Sequence, residues 1–152
     1  MFILYYYYNN RKIMDIYLKY FIICLVIIFL DIAWISLNFS TYSNAILKVQ
    51  KASLNLRYEH AIIAYILILF SVLYVAIPFT SQNIKNGSNN TVENKLLQSF
   101  MYGGAVGFSI FGIYNFTSLA IYKDLDFSIA ITDTIWGTTL YTLSTFIYLL
   151  LP

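Results

Sequence analysis

Four apolar stretches, at about 16–37, 60–80, 96–120 and 128–151, dominate this chain of 152 residues. Each is long enough to cross a bilayer as a helix, which takes about 20 residues. Composition points the same way, with 60% apolar and only 11% charged residues. An ordinary soluble domain is about 25% charged, so water would not solvate this surface. The expected fold is all-α: a four-transmembrane-helix up-and-down bundle with a short interfacial helix between helices one and two. The length allows one integral membrane domain, 14–152, behind an N-terminal extension, 1–13. The expected localisation is multi-pass in a membrane whose identity the residues do not specify.

The joints differ in character. Within 38–58, Ser43 is a fair N-cap for a short helix on which Ala45, Val49, Ala52 and Leu56 share one face. Lys48, Lys51 and Asn55 lie on another face, the pattern of a helix lying on the membrane surface. Pro78 is expected to close the second helix, since proline removes a backbone donor and disfavours helix before it. A polar loop is predicted at 81–91, with a turn at Asn86-Gly87 and glycosylation sequons at Asn86 and Asn89. The joint from Tyr122 to Phe127 is short, so helices three and four must pack as a tight antiparallel pair. The N-terminus suits a retained first helix better than a cleaved signal, because no small-residue cleavage site follows the apolar core. Met14 is an alternative natural start, the residues before it adding little beyond Phe2, the run Tyr5 to Tyr8 and Arg11-Lys12. Slightly more Lys and Arg residues lie on the side of the termini, a small lean towards cytoplasmic termini.

Several classes of function drop out. The net charge is +2 and the basic residues are scattered, so no nucleic-acid partner is expected. The single cysteine, Cys24, lies in an apolar run and reads as a packing residue. There is no phosphate loop, nucleophile elbow or zinc motif, so neither a cofactor nor a metal is expected. His60, the one histidine, stands beside Glu59 at a helix entrance and reads as interfacial; a metal site with Asp31 and Asp133 has no spacing signature behind it. Gly103, Gly104 and Gly107, with Gly112 further along and Gly137 on the last helix, are the packing signal. The small-xxx-small pair Gly103/Gly107 favours close helix approach within the monomer, with a homo-oligomer seam as the lesser reading. The lipid bilayer is the one partner the composition requires.

Polar residues inside the apolar stretches carry the functional signal. Asp31 and Asp133 each precede a tryptophan, Trp34 and Trp136, by three positions. In an up-and-down order Asp31 near the end of helix one and Asp133 near the start of helix four reach the same face, at roughly 8–9 Å depth by helical rise. Tyr114, Asn115 and Thr117 at the end of helix three reach it too. The expected site is a polar pocket of Asp31, Asn115, Thr117 and Asp133, flanked by Trp34, Tyr114 and Trp136. Against it stands a plainer account: hydroxyls and amides lock neighbouring helices, and tryptophans anchor at the interface. Two carboxylates are harder to explain that way, because an intramembrane charge is costly and such residues are usually functional.

These residues resemble the domain-of-unknown-function family 2177, small predicted membrane proteins. The matching segments are Leu30-Asp31-Ile-Ala-Trp34, the Gly-rich start of helix three and the stretch from Tyr114 to Thr138. Asp133-Thr-Ile-Trp136-Gly137-Thr138 is similar to the family's Asp-x-x-Trp-Gly-Thr pattern, and Tyr114-Asn115-Phe116-Thr117-Ser118 to its Tyr-Asp-x-Thr-Asn pattern. Two positions depart: Asn115 stands where the family has an acid, and Ser118 where it has Asn. The resemblance implies the fold and the site and carries no reaction.

Three function classes remain. The first is binding of a small molecule or lipid, or a transport-accessory role, with the carboxylates receiving a cationic or polyhydroxyl ligand or protons. The second is a structural or assembly protein. The third, a membrane-embedded lipid-modifying enzyme with one Asp as base, lacks a nucleophile or metal cluster, so the balance leans away from catalysis.

Overall fold

The computed structural model describes the backbone of residues 2–86 and 91–152, and the side chains of 15–84 and 91–152. Among the described residues every regular element is helical. Helix α1 spans Phe2–Leu37 and α2 spans Phe39–Gln50. A second rod begins as α3, Tyr58–Ser71, passes through a π-helical segment, Val72–Ala76, and continues as α4, Ile77–Asn86. The third rod runs from α5, Val92–Gln98, through a second π segment, Ser99–Gly104, into α6, Ala105–Ile121. Helix α7, Phe127–Leu150, completes the chain.

Three of these rods contain stretches long and apolar enough to cross a membrane: Asp15–Leu37, Tyr58–Ile84 and Val92–Ile121. Their outward faces carry large apolar side chains, such as Phe29 at 72% exposed and Ile113 at 70%. Helix α7 has 24 residues, about 36 Å of rise, but carries six threonines and two serines as well as Asp133, so it is less apolar. It is also the most enclosed helix: Ala130, Thr134, Gly137, Leu140, Tyr141, Thr142, Ser144 and Thr145 are buried. The buried hydroxyls of Thr134, Thr142 and Ser144 donate to the carbonyl four residues back, at 2.7–2.8 Å. Such internal pairing lets a hydroxyl-rich helix sit inside an apolar assembly.

Successive rods run antiparallel, as the pairs of touching residues show. Along α1 and α7, Lys19 Nζ donates to the Leu151 carbonyl at 2.9 Å while Asp31 meets Trp136. Along α1 and the second rod, Tyr20 meets Tyr74 and Asp31 meets Tyr65. Along the third rod and α7, Gly103 faces Thr145 and Asn115 faces Asp133. The two ends of the assembly differ chemically. Ile23, Ile27, Val72, Leu73, Ala76, Ile77, Leu140 and Tyr141 form an apolar core, and Asp31 and Asp133 lie on one side of it.

The α6–α7 contact is set by the absence of side chains. A Cβ on Gly103 would lie 2.7 Å from Thr145 Oγ1, and one on Gly104 2.7 Å from Thr142 Oγ1. A Cβ on Gly107 would strike the Gly137 carbonyl and the Tyr141 ring, and one on Gly137 would strike the Phe111 ring. The glycines let two backbones approach to a separation no larger residue permits.

Two local expectations are corrected. Pro78 does not close the second helix, which continues as helix to Asn86, into the stretch predicted as loop. The π segment immediately before it supplies the reason: a widened turn relaxes the i→i−4 ladder where the proline has no N–H to give. Ser43 is not an N-cap, because α2 already begins at Phe39. The chain instead bends at Asn38, whose Nδ2 donates to the Trp34 carbonyl at 3.0 Å, and α2 ends at Lys51 in the left-handed conformation, φ 56°. The Asn86 side chain, Asn89 and the side chains of the 1–13 extension lie outside the described residues.

Candidate functional site

A spacing of three on a helix places Asp31 and Trp34 on one face, and likewise Asp133 and Trp136. Because α1 and α7 run antiparallel, each tryptophan arrives at the level of the other helix's aspartate. Trp136 Nε1 donates to Asp31 Oδ1 at 2.9 Å, and the Tyr65 hydroxyl donates to Asp31 Oδ2 at 2.8 Å. Asp133 is served through an intermediary. Trp34 Nε1 donates to the Tyr42 hydroxyl at 3.0 Å, and that hydroxyl donates to Asp133 Oδ1 at 2.8 Å. Asn115 Nδ2 donates to Asp133 Oδ2 at 2.8 Å, with its other hydrogen on the Phe111 carbonyl at 2.9 Å. The two indoles stack between the aspartates, centroids 4.5 Å apart and planes 3° from parallel. They therefore bind the two motifs together.

The aspartates thus do not share a proton or a direct contact; each has its own pair of donors. Indole and amide N–H groups only donate, so both sets are complementary to a carboxylate acceptor. Asp31 is buried, at 7% exposed, whereas Asp133 is half-buried. Burial pushes the Tyr42 phenol above its ordinary range; the Trp34 N–H on its oxygen opposes that rise and the Asp133 carboxylate adds to it. Tyr42 consequently holds its proton and acts as a donor to Asp133.

Two clefts meet at Asp133. One, of about 400 Å³, lies beneath α2 and is lined by residues including Tyr42, Gln50, Asn115, Ser118, Tyr122 and Asp133. The other, of about 580 Å³, opens between α3 and α6 over α7, with Leu67, Ile68, Phe70, Ile110 and Phe111 in its wall. Tyr114 and Asp133 line both. Both volumes fall within the roughly 300–1,000 Å³ typical of ligand sites. The second cleft exists because the second and third rods pack through their π segments and through α4 and α5, and leave a gap between α3 and α6.

Of the residues picked out by sequence, Asp31, Trp34, Asn115, Asp133 and Trp136 come together in one network. Tyr114, 68% exposed, stands at the junction of the clefts, and Thr117 is exposed and lines neither. His60 sits with Glu59, its Nδ1 3.2 Å from Oε1. Among the described residues no three His, Cys, Asp or Glu side chains converge as metal ligands would. Tyr42 and Tyr65 escaped the sequence reading although each holds an aspartate. In a chain with 15 tyrosines neither stands out; the usable signal was that Tyr42 sits four residues after Asn38, one turn into the helix that follows Trp34.

A family model described as "Predicted membrane protein (DUF2177)" matches residues 16–150, so the chain belongs to that family. No curated protein and no solved structure matches it. An acid in place of Asn115 would set two carboxylates at hydrogen-bond distance, where like charges disfavour each other. The amide supplies a donor instead.

Proposed function

We propose that this member of the predicted membrane protein family crosses the bilayer four times, with α7 as the enclosed fourth span, and binds a small molecule at Asp133. In this reading α2 lies along the membrane face, which is supported by its exposed Lys48 and Lys51, paired with Asp126 and Asp124 at 2.8 and 3.2 Å. Tyr114, Asn115 and Asp133 stand in the wall of the cleft beneath α2, and Asp31, Trp34 and Trp136 form the network behind it. The observation that carries the reading is the asymmetry of the two carboxylates. Asp31 is enclosed by its donors, whereas Asp133 forms part of the wall of both clefts with acceptor capacity beyond its two bonds. A half-buried carboxylate in a cleft calls for a ligand that donates: an amine or a polyhydroxyl group. Asp31, through Trp136 and its stacked partner, holds the frame in which Asp133 is presented.

The span count is tested by labelling single cysteines at positions 10, 86 and 124 from each side of the membrane. Positions 10 and 86 should react together and 124 from the opposite side. Ligand binding is tested by mass spectrometry of small molecules co-purifying with the protein and with Asp133→Asn. Loss of a specific species from the variant supports the site, and an identical set in both refutes it. A structural reading is favoured by one observation: donors to the aspartates come from α2, α3, α6 and α7, so the network also ties together most of the elements.

A further inference from the structure

We infer that the ligand is a single-chain amphiphile with a cationic amine head, lodged with its head beneath α2 and its tail between α3 and α6. This rests on the reading of Asp133 as a ligand-binding group and narrows it to a chemical class. The two clefts differ in kind and join end to end at Asp133 and Tyr114. A ligand filling both must be polar at one end and apolar at the other.

The head is specified by what lines the cleft beneath α2. Asp133 is its one charged lining residue, and no lysine or arginine is among them. Lys48 and Lys51, the nearest cations on α2, are engaged with Asp126 and Asp124. Lys123, which follows Tyr122, lies outside the cleft in a surface cluster with Lys48 and Lys51, so a phosphate or sulfate head would meet a carboxylate and no cation in the cleft wall. An ammonium would meet the carboxylate directly, with the rings of Tyr42, Tyr114 and Tyr122 in the same wall. Aromatic faces around an acid are a favourable surround for an amine.

The tail is specified by the second cleft, walled by aliphatic and phenyl side chains apart from Ser71, Tyr141 and the shared Tyr114 and Asp133. Its deep end is closed by the Ser71 and Tyr141 hydroxyls, which hydrogen-bond to each other and so present no free polar group. From Asp133 to Tyr141 is eight residues along α7, about 12 Å by helical rise. Its flank is open towards lipid, as the exposure of Leu67 at 61% and Phe70 at 56% indicates. An amphiphile already in the leaflet enters sideways without leaving the hydrocarbon. A helix of a second copy is the competing occupant of such a gap, and it would bury apolar side chains against the Asp133 carboxylate.

The test uses the full-length protein in phosphatidylcholine nanodiscs and radiolabelled dodecylamine, butylamine and dodecanol, with uptake by empty discs subtracted. Dodecylamine should bind saturably and at least about tenfold more tightly than either comparator, a gap of about 1.4 kcal/mol. Asp133→Asn should weaken both amines about tenfold by the same measure. Ala64→Trp, a substitution at an exposed residue of the apolar cleft, should remove the advantage of the long chain and leave butylamine unchanged. Equal binding of the two amines, or no effect of Ala64→Trp, overturns the tail assignment while leaving Asp133 as a ligand site. Equal binding of dodecanol overturns the cationic head. Absence of saturable amine binding to the unaltered protein overturns the inference, while the reading of Asp133 as a ligand site then stands or falls on the co-purifying species. A dimer that Ala64→Trp converts to monomer makes the cleft a self-association seam and refutes the amphiphile.

Discussion

Replacing Trp136 with Phe removes the N–H that reaches Asp31 while keeping an aromatic ring against Trp34. The same change at Trp34 removes the N–H that reaches Tyr42. Both substitutions trim an indole to a phenyl in the same stack, so their loss of packing is similar and the difference between them isolates the hydrogen bonds. Trp136 serves a carboxylate only 7% exposed, at 2.9 Å. A bond to a charged group contributes about 1.5–3 kcal/mol, and leaving the charge under-bonded adds a desolvation cost. Trp34 serves a half-buried neutral hydroxyl, and bonds between membrane helices of that kind average about 0.6 kcal/mol. Trp136→Phe should therefore destabilise the protein by at least about 1 kcal/mol more than Trp34→Phe, by these same magnitudes. Reversible unfolding in mixed micelles measures it. A double-mutant cycle with Asp31→Asn sharpens the test, because Trp136→Phe should cost less once the carboxylate is gone. Equal costs for the two tryptophans, or a larger one at Trp34, would refute the assignment of Trp136 as the donor that holds Asp31.

Three further outcomes follow from the same geometry. Two donors, Tyr42 and Asn115, face Asp133, so the amide of Asp133→Asn must turn its NH₂ towards one of them. Unfolding should show a loss of about 1–3 kcal/mol. Gly107→Val should prevent folding to a monodisperse species in size-exclusion chromatography, whereas Gly112→Ala, whose Cβ would meet only Thr134 Cγ2 at 3.6 Å, should stay within about 0.5 kcal/mol of the parent. Burial and then the Asp133 charge raise the Tyr42 phenol above its unfolded value against the opposing Trp34 bond, so its contribution is fully present below about pH 10 and is lost above it, as the unfolded chain ionises first. Stability measured from pH 8 to 11 should fall at the alkaline end, and less steeply in Tyr42→Phe.

The sequence made the helical class and the membrane environment legible because long apolar runs have one physical reading in a chain with so few charges. It made Asp31 and Asp133 legible for the converse reason: a carboxylate in such a run is costly and needs partners. The partners themselves were not legible. Which tryptophan serves which aspartate depends on the antiparallel docking of α1 and α7, a tertiary fact that no local spacing encodes. Tyr42 was hidden because α2 begins at Phe39 rather than at the serine expected to cap it. Pro78 misled because its local rule concerns a regular α-helix, and the π turn before it suspends that rule. Helix α7 read as a fourth apolar span, yet its hydroxyls mark it as the helix that faces protein, five of them donating to the carbonyl one turn back.

The stacked pair has an optical consequence. Trp34 and Trp136 are the chain's two tryptophans, and both sit in one parallel stack at 4.5 Å. Indole emission from the whole protein therefore originates at a single place, between the two aspartates. At that separation the two excited states are coupled, so a small slide of α1 against α7, or a changed charge at Asp31, alters the colour and polarisation of the light. The protein carries its own local probe beside its buried aspartate network, with no other indole in the chain.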